Sequence, residues 1–410
     1  MKNDKCRFCD SELDELILDL GEMPLANSFL EEMELEKEEF TLPLQMYICK
    51  NCFLVQLKQF EIPEKIFLDY AYFSSYSSSW LEHAKNYADR ITKQLELNKN
   101  SFVLEIASND GYLLQYFKNK EIPVLGIEPA ENIAKVANEK GINTLNEFFS
   151  LTLAKKLSMS ERSADLIIGN NVFAHVPEIN NFVEGLRVML NDNGVITLEF
   201  PHLLQLIEKN QFDTIYHEHL SYFSLNTVKT ILSSHDLEIF DVEELSTHGG
   251  SLRIFVKHKK NSKMKISINV EDILEKEKEN GLLEISFYKN FSDNVKKIRT
   301  DFLEFLNGVK NKNAKIVCYG APAKGNTFLN YCKIDSRMIS FTVDKNPHKQ
   351  GKFLPGTHIS IKDPSELMNE KPDYVIILPW NLENEIKNEI SFVRDWNGKF
   401  VIVIPEVRIS

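Results

Sequence analysis

LEIASNDGY, residues 104–112, runs from an apolar stretch into a polar turn with one glycine, and LLQYFKN follows at helical spacing. Strand, turn and helix in that order form the crossing at which a doubly wound parallel sheet opens its ligand crevice. The pattern continues outward. PVLGIEP (123–129) reads as a second strand, NIAKVANEKG as a helix closed by Gly141, and DLIIGNN (165–171) and GVITLEFP (194–201) as further strands. Such alternation predicts a mostly parallel sheet covered on both faces. The turn is informative in what it lacks: Ala107 and Asn109 stand where tight-turn glycines are expected, and only Gly111 remains. A pyrophosphate needs close approach to bare backbone, so this turn favours a ligand without one.

Two acids complete the crevice. Glu105 projects from the end of the first strand, and Glu128 ends the second, where a carboxylate can accept both ribose hydroxyls. With Ala107, Asn109, Gly111 and Tyr112 in the turn, and Asn170 and Asn171 in NNVFAHV flanking the ligand, the set suits S-adenosylmethionine better than NAD.

The chain has 410 residues, which at about 150 per domain suggests two or three domains. Its net charge of -12 argues against broad affinity for nucleic acid or anionic lipid. No apolar run approaches the ~20 residues that span a bilayer, and MKNDKCRFCD carries no signal core. A cytoplasmic protein, without membrane or nucleic-acid partners, is expected. Four of six cysteines form two Cys-x-x-Cys pairs, Cys6 with Cys9 and Cys49 with Cys52. In a reducing compartment, two such pairs at knuckle spacing share one structural Zn2+ more readily than they form disulfides.

The expected organisation is α/β throughout: a zinc-binding module at 1–68, a Rossmann-like domain at 69–262, a helical connector at 263–310, and a second Rossmann-like domain at 311–410. The last opens with KIVCYGAPAKGNTFLNYC (315–332), a strand, turn and helix without the Walker spacing. Gly320 permits tight backbone, Lys324 can neutralise a diphosphate, and Asn326 and Thr327 offer hydrogen bonds. Asp344 and Asn346, after the next strand, are candidates for a ribose or base.

DTIYHEHLSYFS (213–224) places His217, Glu218 and His219 side by side after the fifth strand. A zinc-protease signature would need histidine at 221, which is Ser221, and a His-x-His metal pair lacks an obvious third ligand. General base catalysis remains: a neutral imidazole accepts a proton near cellular pH, and a neighbouring acid or tyrosine orients it or bonds a developing oxyanion. Spacing does not choose between His217 and His219.

The succession of the cysteine pairs, LEIASNDGYLL, NNVFAHV, DTIYHEHLSYFS and YGAPAKGNTFLNYC resembles the nucleotide-sugar C-methyltransferase family, which acts on TDP-linked 4-keto deoxysugars. The resemblance covers essentially the whole chain. It implies S-adenosylmethionine-dependent methylation of a carbon next to the sugar ketone, after deprotonation there. It places the base at His219, with Tyr216 and Glu218 as supporting groups and His175 and Tyr70 as further active-site residues. It also gives the terminal domain a part in nucleotide-sugar binding. O- or N-methylation of a similar substrate, and a zinc-bearing interaction protein with a vestigial cofactor fold, are the competing readings.

Overall fold

The computed structural model describes residues 4–58, 74–76, 78–160, 163–312 and 314–410, and three sheets are present among them. The N-terminal residues give strands β1 (Glu15–Pro24), β2 (Thr41–Ile48) and β3 (Val55–Leu57), antiparallel in that order. The first α/β region contributes β4 (Val103–Ile106), β5 (Val124–Ile127), β6 (Thr144–Leu145), β7 (Ala164–Asn170), β8 (Leu190–Pro201), β9 (Ser221–Tyr222), β10 (Leu237–Leu245) and β11 (Ser251–His258). All but β9 form one seven-stranded sheet in the order β10-β11-β8-β7-β4-β5-β6, parallel from β8 to β6 with an antiparallel pair at the other edge. The strand order reverses between β4 and β7, and the ends of those two strands bound the crevice there.

β9 leaves that sheet and pairs with β3, Val55 facing Tyr222 and Gln56 facing Ser221. The N-terminal sheet is therefore not closed within its own residues: its fourth strand is the tail of the histidine loop. The third sheet, β12 (Ile316–Tyr319), β13 (Thr342–Val343), β14 (Ile361–Lys362), β15 (Tyr374–Ile377), β16 (Lys399–Ile402) and β17 (Arg408–Ile409), has the order β14-β13-β12-β15-β16-β17, with only β17 antiparallel. VLEI, VLGI and IVCY can run continuously apolar because parallel strands are covered on both faces.

Between the α/β regions run the helices Ile268–Glu279 and Ile285–Lys310. The longer one buries Phe291, Val295, Ile298, Phe302, Leu306 and Val309 at spacings of three and four, and Phe302 meets Phe328 edge-on with centroids 4.9 Å apart. One apolar core joins the faces of β1 to β3, residues 203–222, this helix and the third sheet, so the histidine loop is wedged between N-terminal sheet and C-terminal domain. Among the described residues no helix is long and apolar enough to cross a membrane.

Candidate active site

The four paired cysteines converge. Their sulfurs lie within 4.8 Å of one another, with Cys6 to Cys52 at 3.6 Å and Cys9 to Cys49 at 3.5 Å. A tetrahedral zinc with bonds of about 2.3 Å sets its thiolates about 3.8 Å apart, so the cluster fits that ion. The side chain of Gln56 donates to Cys6 Sγ at 3.1 Å and accepts the Arg7 backbone N–H at 3.0 Å. Because Gln56 lies in β3 opposite Ser221, the metal knuckle is one strand away from the histidine loop.

At the switch point, Ala107, Asn109 and Gly111 all hold positive φ, 54°, 49° and 78°. The turn keeps a left-handed shape at both positions where the sequence has lost glycine, while the methyl and the side chain still cover its backbone. At Gly111 the requirement is strict, since a Cβ would stand 2.8 Å from Ile142. Glu105 is buried with Oε2 unpartnered among the described residues, and burial followed by the charge of Glu128 drives its proton affinity well above the ordinary carboxylate range. Glu128 is raised by burial too, although its oxygens accept the backbone N–H groups of Asn109 and Ala130, each at 2.9 Å. Each of these oxygens keeps a lone pair for a hydroxyl. Across the switch point the buried Oδ1 atoms of Asn170 and Asn171 lack partners among the described residues. Crowded, unsatisfied acceptors repel a diphosphate and welcome a ligand that brings hydroxyl and ammonium donors beside a sulfonium, as S-adenosylmethionine does. Ser74 N–H donates to Asn109 Oδ1 at 2.9 Å, so the described part of the aromatic, serine-rich passage docks on this turn. Tyr70 lies outside the described residues.

In the histidine loop the three ionisable residues face three ways. His219 donates Nδ1–H to the Thr214 carbonyl at 2.9 Å, which leaves Nε2 to accept the Tyr216 hydroxyl at 2.7 Å. The His175 ring lies 4.9 Å away, its Nδ1 donating to the Glu218 carbonyl at 2.7 Å. Burial, then the neighbouring His175, push His219 well below the usual imidazole range, so it is neutral at cellular pH. His217 turns toward the backbone of Leu42 and Pro43 in the N-terminal sheet and is likewise lowered by burial. Tyr216, rather than Glu218, bonds the His219 ring. The Glu218 carboxylate accepts Asn27 Nδ2 at 2.7 Å, Oε2 is buried without a partner among the described residues, and burial raises the group to about 7. Residue 220 is held on both sides, its N–H by the Ala174 carbonyl at 2.8 Å and its carbonyl by Leu57 N–H at 3.0 Å.

The C-terminal turn is more fully engaged. Asn326 and Thr327 are buried and donate to the carbonyls of Ala26, at 3.3 Å, and Ile215, at 3.1 Å. Asp344 accepts Ala321 N–H at 2.7 Å and Asn346 N–H at 2.8 Å, and Asn346 in turn accepts the His348 N–H. Gly320, at φ 90°, faces Pro379 where a Cβ would stand 2.6 Å away. Lys324 contacts Asn381, lies 4.2 Å over the Trp380 ring, and is lowered to about 8 by burial against the pull of Asp213 in the histidine loop. Asp213 accepts Trp380 Nε1 at 2.6 Å and is raised to about 6 by burial. Asn27, Trp380 and His248 were passed over in the sequence. Asn27 and Trp380 leave no local signal, whereas a histidine before two glycines in THGG (247–250) is a legible cue to an unusual backbone.

A switch-point crevice lined by buried carboxylates, without a diphosphate turn, defines the class of S-adenosylmethionine-dependent methyltransferases. Residues 6–67 match the family described as "Putative zinc binding domain", residues 80–242 "Methyltransferase domain", and residues 246–405 "C-methyltransferase C-terminal domain". The chain is 34% identical over 409 residues to the C-methyltransferase NovU of Streptomyces niveus, across 99% of this chain and 96% of that one. It belongs to the C-methyltransferase family, with S-adenosylmethionine as its methyl donor and zinc as its structural metal. Among solved structures, the PH0226 protein of Pyrococcus horikoshii OT3 aligns with TM-score 0.37 at 16% identity, over 49% of this chain and 100% of that one. A SAM-dependent methyltransferase of Archaeoglobus fulgidus aligns with TM-score 0.34 at 17% identity, over 42% and 94%.

Proposed function

We propose that the enzyme methylates a carbon next to the ketone of a nucleotide-linked keto-deoxysugar, with TDP as the nucleotide, and that it acts in the cytoplasm. The observation that carries this reading is the Thr214–His219–Tyr216 chain, a neutral imidazole with one nitrogen committed to backbone and the other to a phenol. The phenol is the group a substrate meets. Tyr216 oxygen takes the carbon-bound proton while its own passes to His219 Nε2, and Thr214 keeps the ring in the tautomer that can accept it. Asn27 holds Glu218 beside this chain, and Lys324 supplies positive charge where the C-terminal domain meets the loop. Bound S-adenosylmethionine supplies the electrophilic methyl. The nucleotide would anchor the sugar through the C-terminal turn around Gly320 and Lys324, with Asn326, Thr327, Asp344 and Asn346 shaping that turn, so that remote binding energy positions the reacting carbon.

Proton NMR of the product decides between carbon and oxygen. A new methyl on carbon supports the reading, and a methoxy signal overturns it. His219→Asn is expected to lower turnover by roughly 100-fold or more while leaving S-adenosylhomocysteine affinity within about twofold. Normal turnover in that variant removes His219 as the base.

A further inference from the structure

A base as weak as His219 raises a question of its own. A proton relay through Tyr216 that ends on an imidazole held below its usual proton affinity can draw a proton from carbon only if the negative charge left on the ketone oxygen is met by a donor. His248, which no role above uses, is placed for that.

His248 sits in the left-handed region, φ 53°, followed by Gly249 at 88° and Gly250 at 129°. Left-handed backbone at a non-glycine residue is strained and persists where its surroundings enforce it. Here they do. Thr247 Oγ1 donates to Glu199 Oε1 at 2.9 Å, and Gly249 carbonyl accepts Gln211 Nε2 at 2.9 Å and Lys209 Nζ at 3.1 Å. A Cβ at Gly249 would stand 2.5 Å from Trp380, so the loop is seated between the methyltransferase sheet and the C-terminal domain. His248 as a whole residue is exposed. Its Nε2 accepts Asn171 Nδ2 at 3.3 Å, and the Trp80 ring stands edge-on at 5.6 Å. Asn171 and His175 bracket one short turn, of about 2 Å per residue, with His248 against one end and His219 against the other. The remaining nitrogen, Nδ1, makes no bond among the described residues.

From this placement we infer that His248 is a catalytic residue, a neutral imidazole whose Nδ1–H donates to the ketone oxygen as it becomes the enolate oxygen. The protein packed around the loop, with Lys324 adding to it, lowers the proton affinity of the ring, so at cellular pH it donates as a neutral group and does not surrender a full proton. In the step it serves, the carbon–hydrogen bond breaks, the proton moves toward His219, and the electron pair rests on the oxygen bonded by His248. The carbonyl re-forms when the carbon takes the methyl. The inference rests on the enolate reading above.

The test uses two variants that both tolerate left-handed backbone. His248→Gly removes the ring, and His248→Asn keeps an N–H donor close to the position of Nδ1. Hydrogen–deuterium exchange at the carbons next to the ketone is followed by NMR in full-length enzyme with S-adenosylhomocysteine and TDP-4-keto-6-deoxyglucose. The expected result is exchange in the parent enzyme, a loss of about 100-fold or more in His248→Gly, and recovery to within about tenfold in His248→Asn, with S-adenosylhomocysteine affinity unchanged in both. Exchange at the parent rate in His248→Gly overturns the role of His248 and leaves the enolate reading standing. So does a His248→Asn variant as slow as His248→Gly, or weakened S-adenosylhomocysteine affinity in step with the lost exchange. Absence of exchange in the parent enzyme overturns the enolate reading itself.

Discussion

Ala107–Tyr112 and Gly320–Lys324 occupy the same place in two parallel sheets, each at the point where strand order reverses, yet they treat their polar groups in opposite ways. Around the first, Glu105, Asn170 and Asn171 keep buried oxygens with no partner among the described residues. Around the second, Asn326, Thr327 and Asp344 are bonded to the backbone of the histidine loop, the N-terminal module and the turn itself. A buried acceptor left unmade costs roughly 1–3 kcal/mol, which a bound ligand can recover. The first turn thus leaves acceptors that a ligand could complete, and the second has its acceptors and donors largely completed by the protein.

The harshest way to break this arrangement is to remove what holds the histidine loop between the two turns. Withdrawing zinc with a chelator, or replacing Cys6 and Cys52 by serine, is expected to unfold the N-terminal sheet, because structural zinc contributes on the order of 10 kcal/mol in small modules. β9 then loses β3, and methyl transfer should fall below detection while the seven-stranded sheet still binds S-adenosylhomocysteine. Calorimetry after metal removal checks this; full activity in the metal-free protein would show that β3 is dispensable to the loop.

Next in size is the proton held by Glu218. Its folded value of about 7 stands above the ordinary 4.5, so the folded state binds the proton more tightly than the unfolded chain. The stability this adds is complete below pH 4.5 and is lost as pH rises through 7. Glu218→Gln keeps an acceptor for Asn27 and removes the titration, so at pH 8 it should exceed the parent in denaturant unfolding by up to about 3 kcal/mol, with little difference at pH 4.5. Equal stabilities at pH 8 would mean that Glu218 is already ionised without penalty, and that the loop does not share the character of the first turn.

A matched pair of variants then sets the turns against each other. Glu128→Ala should weaken S-adenosylhomocysteine binding about 10- to 100-fold by calorimetric titration. Thr327→Val should leave that affinity alone and lower stability by about 1–3 kcal/mol, since it strands the Ile215 carbonyl. If Thr327→Val instead raises KM for the nucleotide sugar with no loss of stability, the second turn is as open to ligand as the first.

The strands flanking both turns were legible because each is a short apolar run covered on two faces, and the cysteine spacing was enough to foresee the four-sulfur cluster. β6, β14 and β17 escaped because two residues carry no period. The destination of β9 escaped for another reason: Ser221 and Tyr222 pair with residues more than 160 positions earlier, a contact that no local pattern encodes. That pairing separates His217, which faces Leu42 and Pro43, from His219, which faces Tyr216 and His175, where spacing left the two equivalent. An acid or a tyrosine was expected to orient the imidazole or to bond a developing oxyanion, with Glu218 and Tyr216 as the supporting groups. Tyr216 bonds the ring, and the Glu218 carboxylate is held by Asn27, 191 positions away.

The smallest effect concerns the glycines that the first turn lacks. Ala107 stands where a tight-turn glycine is expected, and its φ of 54° shows the left-handed shape held against a Cβ. That shape costs an alanine roughly 1 kcal/mol, and glycine would remove the strain while adding about 0.4–1 kcal/mol of unfolded-state entropy. Ala107→Gly should therefore raise stability by about 0.5 kcal/mol at most. Gly111→Ala, at φ 78° with Ile142 2.8 Å from the new Cβ, should lower it by more than about 1 kcal/mol. Denaturant midpoints of the two variants measure the contrast. If Ala107→Gly is clearly destabilised, its methyl is itself a packing contact, and the turn excludes diphosphate by filling the space rather than by stiffening the backbone.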